Sequence, residues 1–266
     1  MTEQLEPRPA ATVLLVRDGA DEIEVFMLRR NLNSDFVGGA YVFPGGGVDA
    51  SDREDPDLGN VCAGLDDAGA SAQLGVASGG LAYWVAAVRE CFEEAGVLLA
   101  GRDGDYIRFS DPDVAARFDE ARPQVYSGDL RVAALCEREG LTIQLDEIVY
   151  LSHWITPVGP PRRFDTRFFV ARMPEEQTPL HDGGETVASE WIGVRTALER
   201  QRAGEFEMIF PTIRNLEDVA QFDTVDELMT GARARDEVPP ILPKIVRGED
   251  EQMSILMPGQ PGYDEA

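Results

Sequence analysis

The earliest apolar pattern in the chain is strand-like. "ATVLLVRDG" (11–19) and "IEVFMLRR" (23–30) are rich in β-branched residues, and "DGADE" between them favours a turn. The pair predicts an antiparallel hairpin. "YVFPGGGVD" (41–49) predicts a short strand running into a glycine-rich turn. Residues 50–81 are rich in Asp, Gly, Ala and Ser and show little periodicity, which predicts a long loop with room for one short helix. Loops of that length are usually functional or disordered. The period then changes. In "LAYWVAAVRECFEEAG" (81–96) and just beyond it, Val88, Cys91, Phe92, Ala95 and Leu99 recur at helical spacing, and Gly96 suits a C-cap.

Residues 111–140 predict one or two helices, with "DPDVAARFDEA" opening on a capping Asp followed by Pro. "LDEIVYLSHWITP" and "RRFDTRFFVARM" predict two further strands. "SEWIGVRTALERQRAG" predicts a short strand and a helix, and "PTIRNLEDVAQFDTVDELMTGARAR" helical structure broken near Asp223. Residues 1–9 are expected to be a loose tail, 10–236 a single domain and 237–266 an irregular tail. Mixed strands and helices with an early hairpin favour an α+β sandwich over a doubly wound parallel sheet.

Composition narrows the function. Among 266 residues, 49 acidic against 24 basic side chains give a formal charge of −25. Nucleic acids and anionic membranes are held by Lys/Arg fields, so neither is an expected partner. An anionic ligand must instead be held by a local Arg cluster or by metal ions. The three cysteines, Cys62, Cys91 and Cys136, have no CxxC spacing, so neither a disulfide framework nor a structural zinc is expected. No apolar run is long enough for a membrane-spanning helix. These features lead to the expectation of a soluble cytoplasmic protein.

The chemistry concentrates in "RECFEEAGV" (89–97). On a helix Glu90, Glu93 and Glu94 lie three and four residues apart and repel one another. Clustered carboxylates suit a hard cation such as Mg²⁺. Arg89, four residues before Glu93, can hold a carboxylate in place. The competing reading, a solvated acidic face, is the commoner fate of a charge run.

The stretch matches the second half of the Nudix signature, R-E-U-x-E-E-x-G-U with U apolar, at every specified position. The first half, G-x5-E, is approximated by Gly46 and, after five residues, Asp52, within "FPGGGVDASD". The halves stand apart by 36 residues, Arg53 to Val88, where the signature has seven. The chain therefore resembles the split-box Nudix branch that includes the peroxisomal coenzyme A diphosphatases, and "WITPVGPPRRFDTRFFVA" (154–171) is similar to the segment this branch carries after its box.

The resemblance implies an α/β/α sandwich around a mixed sheet, an insertion at 53–81 within the box and extra C-terminal helices. It implies Glu90, Glu93 and Glu94 as metal-binding carboxylates, with Glu93 also able to polarise water, Arg89 as the orienting residue, and Gly46 and Gly47 as the close backbone approach. Asp52, one methylene shorter than a signature Glu, is expected to stand off the metal. Some members recruit a distal acid, for which Glu185 is the candidate, with an ordinary exposed loop residue as the alternative. Arg162, Arg163 and Arg30 are the candidate anchors for substrate phosphate. Because neighbouring strand residues face opposite ways, at most one of the first two reaches a site. Phe164, Phe168 and Phe169 fit a base-stacking role or core packing.

The implied activity is Mg²⁺-dependent hydrolysis of a diphosphate linkage, with Mn²⁺ as a substitute. The favoured substrate is CoA or acyl-CoA, giving 3′,5′-ADP and (acyl-)4′-phosphopantetheine. ADP-ribose, NADH or a dinucleoside polyphosphate is the runner-up, and a non-catalytic nucleotide sensor the non-enzyme alternative. A homodimer through helices at 111–140 or 211–235 is compatible with the family.

Overall fold

The structure, a computed structural model, describes residues 5–32, 38–55, 58–247 and 253–265. Residues 1–4 of the expected N-terminal tail, 56–57 of the insertion, and 248–252 and 266 of the expected C-terminal tail lie outside it. The alternating stretches at the start form β1 (Arg8–Asp18) and β2 (Ile23–Arg30), antiparallel as expected. The glycine-rich segment supplies β3 (Tyr41–Val42) and β4 (Gly45–Gly47). β1 changes partner along its length. Val16–Asp18 pair with β2, whereas Ala10–Thr12 pair with β4. Gly45 permits that second pairing, because a Cβ there would stand 2.4 Å from Thr12 Oγ1 and 2.6 Å from the Ala11 carbonyl.

The segment expected to be mainly loop is more ordered. It holds α1 (Ala50–Glu54), α2 (Leu58–Val61), β5 (Cys62–Ala63) and α3 (Asp67–Leu74). The α3 helix has complete caps, with Asp66 accepting from Gly69 N and Gly75 closing the C-terminus at φ 65°. Asp67 then accepts the backbone N–H groups of Gly79 and Leu81, fastening this segment to the start of α4 (Leu81–Ala95). α4 is buried on nearly all sides, including Arg89, Glu93 and Glu94, and ends at Gly96 with φ 68°. Leu99, expected on the same periodic face, lies buried beyond the helix.

After α4 come β6 (Ala100–Arg102), β7 (Asp105–Tyr106), α5 (Pro112–Tyr126), α6 (Val132–Glu139) and β8 (Thr142–Gln144). β5, β8, β6 and β7 make a small separate sheet, so the insertion packs into structure rather than over it. β9 (Ile148–Ile155), β10 (Phe164–Arg172), β11 (Thr186–Gly193), α7 (Val194–Arg202), α8 (Phe210–Val219) and α9 (Val225–Arg233) follow. The tail is not irregular. β12 (Pro240–Ile241) adds to the main sheet, and β13 (Lys244–Arg247) pairs with β14 (Met253–Leu256).

The main sheet runs β11-β2-β1-β10-β9-β12 and is mixed, with β1 parallel to β10 and β10 antiparallel to β9. Period-two alternation along β1 fills both faces. Ala11, Val13 and Leu15 pack with α4 and α5, whereas Leu14 and Val16 pack with α7, α8 and α9. This is the α/β/α sandwich around a mixed sheet that the sequence led us to expect.

Candidate active site

The split between β2 and β4 along β1 coincides with a cleft of about 360 Å³. Its walls carry Gly45–Gly47, Glu90 and Glu94 from the two halves of the signature, with Arg30, Glu185 and Arg162 around them. The halves, far apart in sequence, therefore meet. Gly46 faces Glu90 so closely that a Cβ would stand 2.4 Å from Glu90 Oε1. Gly45 N–H donates to Glu94 Oε2 at 2.9 Å. Gly47 has no such constraint, since a Cβ there would meet nothing nearer than Asp49 Oδ1 at 3.9 Å. Its contribution is its carbonyl, which accepts from Arg89 Nη2 at 2.7 Å.

Arg89 is the clamp between the halves. Its Nε and Nη2 each donate to one Asp52 oxygen at 2.9 Å, and Nη1 reaches Glu90 Oε1 at 2.9 Å and both Glu93 oxygens at 3.3 Å. Burial opposes this guanidinium's charge, but Asp52, Glu90 and Glu93 more than compensate and raise its pKa. A fork of this shape matches paired carboxylate oxygens. Asp52 is 1% exposed and also accepts Asp49 N–H at 2.8 Å. It is committed to Arg89 and is not among the residues lining the cleft.

The glutamates divide by helix face. Glu90 and Glu94, four apart, line the cleft; Glu93 turns to Arg89 and a smaller recess beside Tyr126 and Asp49. Glu93 is thus not brought into the cleft with the other two. Burial pushes the Glu90 carboxyl up to about 7, opposed by Arg89 and reinforced by Glu93. Glu94 is held well above the usual carboxylate range, first by burial and then by the charge of Glu90, with the Gly45 N–H opposing. Glu93 is also raised by burial, against Arg89.

Among the described residues, no three His, Cys, Asp or Glu side chains converge closely enough to hold a metal by themselves. Two carboxylates facing a cleft, Glu94 buried and Glu90 partly so, with the Gly46 backbone against Glu90, nevertheless fit Mg²⁺, which commonly takes one or two carboxylates and leaves its other positions to water and substrate phosphate.

The two arginines just before β10 separate, Arg162 keeping the phase of Phe164, Thr166 and Phe168. Arg162 lines the cleft. Arg163 does not; it is buried and donates from Nε to the carbonyls of Thr156 and Pro157 and from Nη1 to that of Leu5, so its expected role as a phosphate anchor gives way to a structural one. Arg30 lines the cleft and stands 4.0 Å from Glu185, which places that acid at the site. Phe164 and Phe168 line the cleft, while Phe169 is fully buried in the core. Thr12, Thr166, Ile209 and Thr212, with the apolar Ala10, Val42 and Phe43, complete the walls, and the sequence does not mark them as site residues. Strand alternation from Phe164 gives Thr166; nothing local marks the residues at the start of α8.

The family model of the NUDT19 Nudix domain matches residues 66–219. The chain belongs to the Nudix family. It is a hydrolase of pyrophosphate bonds. It is 27% identical to the acyl-coenzyme A diphosphatase NUDT19 of Gallus gallus, with 97% of this chain and 80% of that protein covered. It is 28% identical to the protein of the same name from Homo sapiens, with 92% and 74% covered. A crystal structure of a Nudix hydrolase from Alicyclobacillus acidocaldarius superimposes with a TM-score of 0.68 at 30% identity, covering 90% of this chain and all of that one. The Nudix fold read from the split signature is therefore the fold of this chain.

Proposed function

We propose that this Nudix hydrolase cleaves the diphosphate of CoA or acyl-CoA, giving 3′,5′-ADP and 4′-phosphopantetheine or its acylated form, with Mg²⁺ as cofactor. The observation that carries the substrate class is the similarity to acyl-coenzyme A diphosphatases, which runs through the insertion and both halves of the split box rather than through the signature alone. Glu90 and Glu94, with the Gly46 backbone, hold the metal. When bound, the ion neutralises charge on the phosphoryl oxygens. Gly45 N–H fixes the rotamer of Glu94, and Arg89 fixes Glu90 and Glu93. Arg162 and Arg30 are the cationic side chains on the cleft wall, placed to take substrate phosphate. Glu185 lines the same cleft as Glu94 and is the distal acid of this reading.

The test is incubation with Mg²⁺ and a panel of CoA, acyl-CoA, ADP-ribose, NADH and diadenosine polyphosphates, with products followed by mass. Cleavage of CoA species is expected. Glu94→Gln is expected to reduce it about 100-fold or more, since even residues that only support a metal ligand cost 10–100-fold. Cleavage of ADP-ribose with none of CoA would overturn the substrate class, and undiminished turnover in Glu94→Gln would overturn the metal site.

A further inference from the structure

The loop between β10 and β11, residues 173–185, brings Glu185 to the cleft and is fastened to the chain at and beyond the end of α4. Gln177 is buried, accepts the Leu98 N–H at 2.9 Å, and donates from Nε2 to the carbonyls of Leu98 at 3.1 Å and Ile107 at 2.8 Å. Leu180 N–H donates to the carbonyl of Ala95, the residue after Glu94, at 2.9 Å. Asp182 then folds the last turn of the loop by accepting the N–H groups of Gly184, Glu185 and Thr186. On the far side the sheet takes over, with Asn31 N–H donating to the Glu185 carbonyl at 2.9 Å and Thr186 opening β11 beside β2.

Arg122, on α5, bridges the two partners of the α4 side of this tie. Its Nε donates to the Glu93 carbonyl and its Nη2 to the Leu180 carbonyl, both at 2.9 Å. The planar fork of a guanidinium can serve two acceptors at once in a fixed geometry. Gly96 leaves it room, because a Cβ there would stand 3.0 Å from Arg122 Nη1. A cation is also favoured at the C-terminus of a helix. Burial lowers the Arg122 pKa, and the charges of Asp182, Asp119 and Glu94 oppose that fall, which sets the guanidinium between the loop and the catalytic helix. The tie works against a repulsion. The charge of Glu185 is felt at Glu94, and the two acids line one cleft. A loop released from α4 relieves that repulsion by moving Glu185 outward.

We infer that Arg122 is a positioning residue for the hydrolysis: by bridging the Glu93 and Leu180 carbonyls it holds the loop against α4 and so sets Glu185 at the cleft. Arg122 is not among the residues lining the cleft, and it acts through Glu185 rather than on substrate. This inference rests on the reading of Glu185 as the distal acid, and it does not depend on which diphosphate is cleaved. The geometry of the fork matters as well as its charge. A lysine at this position keeps the charge but does not reproduce the fork that meets both carbonyls.

A double-mutant cycle between Arg122→Gln and Glu185→Gln tests this, read as kcat on whichever member of the substrate panel turns over fastest. Arg122→Gln is expected to lower kcat about 10-fold, the lower range for a residue that supports a metal site, and Glu185→Gln by at least as much. The double variant is expected to fall no further than Glu185→Gln alone, and Arg122→Lys to recover only part of the loss. Amide hydrogen exchange is expected to quicken across residues 178–186 in Arg122→Gln, while residues 82–90 of α4 keep their wild-type protection. Losses that multiply in the double variant, or unchanged exchange across 178–186, would overturn the inference and leave Arg122 with a purely structural role at the end of α4. A loss in Glu185→Gln with none in Arg122→Gln would likewise overturn it while the Glu185 reading stands. Wild-type kcat in Glu185→Gln would overturn that reading and this inference with it.

Discussion

Glu90 is poised between two protonation states by its surroundings. Its carboxyl moves from an ordinary 4.5 up to about 7, chiefly because α4 and the glycine-rich strand desolvate it. In the unfolded chain it reverts to the ordinary value. Between these two values the folded state holds more protons than the unfolded one, so stability falls as pH rises. The contribution is fully present below about 4.5 and is lost as pH passes about 7, amounting to up to about 3 kcal/mol for a shift of this size. Thermal unfolding of metal-free protein between pH 5 and pH 8 is expected to show this decline, and Glu90→Gln to lessen it, with the raised Glu93 and Glu94 carboxyls keeping part of the slope. Equal slopes in the two proteins would mean that Glu90 ionises normally in the fold. Mg²⁺ at pH 8 is expected to raise the melting temperature of the wild type and to have little effect on Glu90→Gln, because a ligand bound only to the folded state stabilises it.

Between elements, the decisive contact is the one that rejoins the signature. Asp52 on α1 and Arg89 on α4 form a two-pronged pair in a site closed to water. Asp52→Asn removes half of the ion pair and leaves a buried guanidinium short of a counter-charge, at a cost of about 3 kcal/mol. Denaturant unfolding is expected to show that loss, with turnover falling alongside because Arg89 also positions Glu90 and Glu93; a neutral effect would mean that the halves are held together by packing alone. The motif made this junction legible, since Gly46, Asp52 and Arg89 were visible in order and only their reunion had to be supplied by the fold. The strands were legible because β1, β2, β9 and β10 alternate or run apolar. The insertion was not. α3 reads "DAGASAQL", whose small residues give almost no periodicity, although Asp66 and Gly75 bracket it as caps. β13 and β14 were missed because a short hairpin with exposed Met253 and Ile255 has no buried face to pattern its sequence. Nothing in the sequence distinguishes Arg163 from Arg162; only the fold turns one to the cleft and the other to backbone carbonyls.

At the scale of the whole molecule, the site works against its own protein. A formal charge of −25 surrounds a cleft that must admit a diphosphate. Unit charges in water interact beyond a Debye length only weakly, about 8 Å at physiological ionic strength but about 30 Å at 0.01 M. At low salt the approaching substrate therefore meets the field of the whole chain, and at physiological salt mainly that of the side chains lining the cleft, Arg30 and Arg162 among them. Enzymes with basic funnels lose association rate as salt rises. This one is expected to do the reverse. With free Mg²⁺ held constant, kcat/KM should rise several-fold between about 10 mM and 150 mM KCl, and the change should appear in KM while kcat stays level, because the chemical step takes place inside the local site. A decrease over that range would mean that the cationic end of the cleft dominates even at long range. In that case Arg162→Gln should abolish the salt dependence; if repulsion by the whole chain dominates, the same variant should leave the rise intact while increasing KM at every salt concentration.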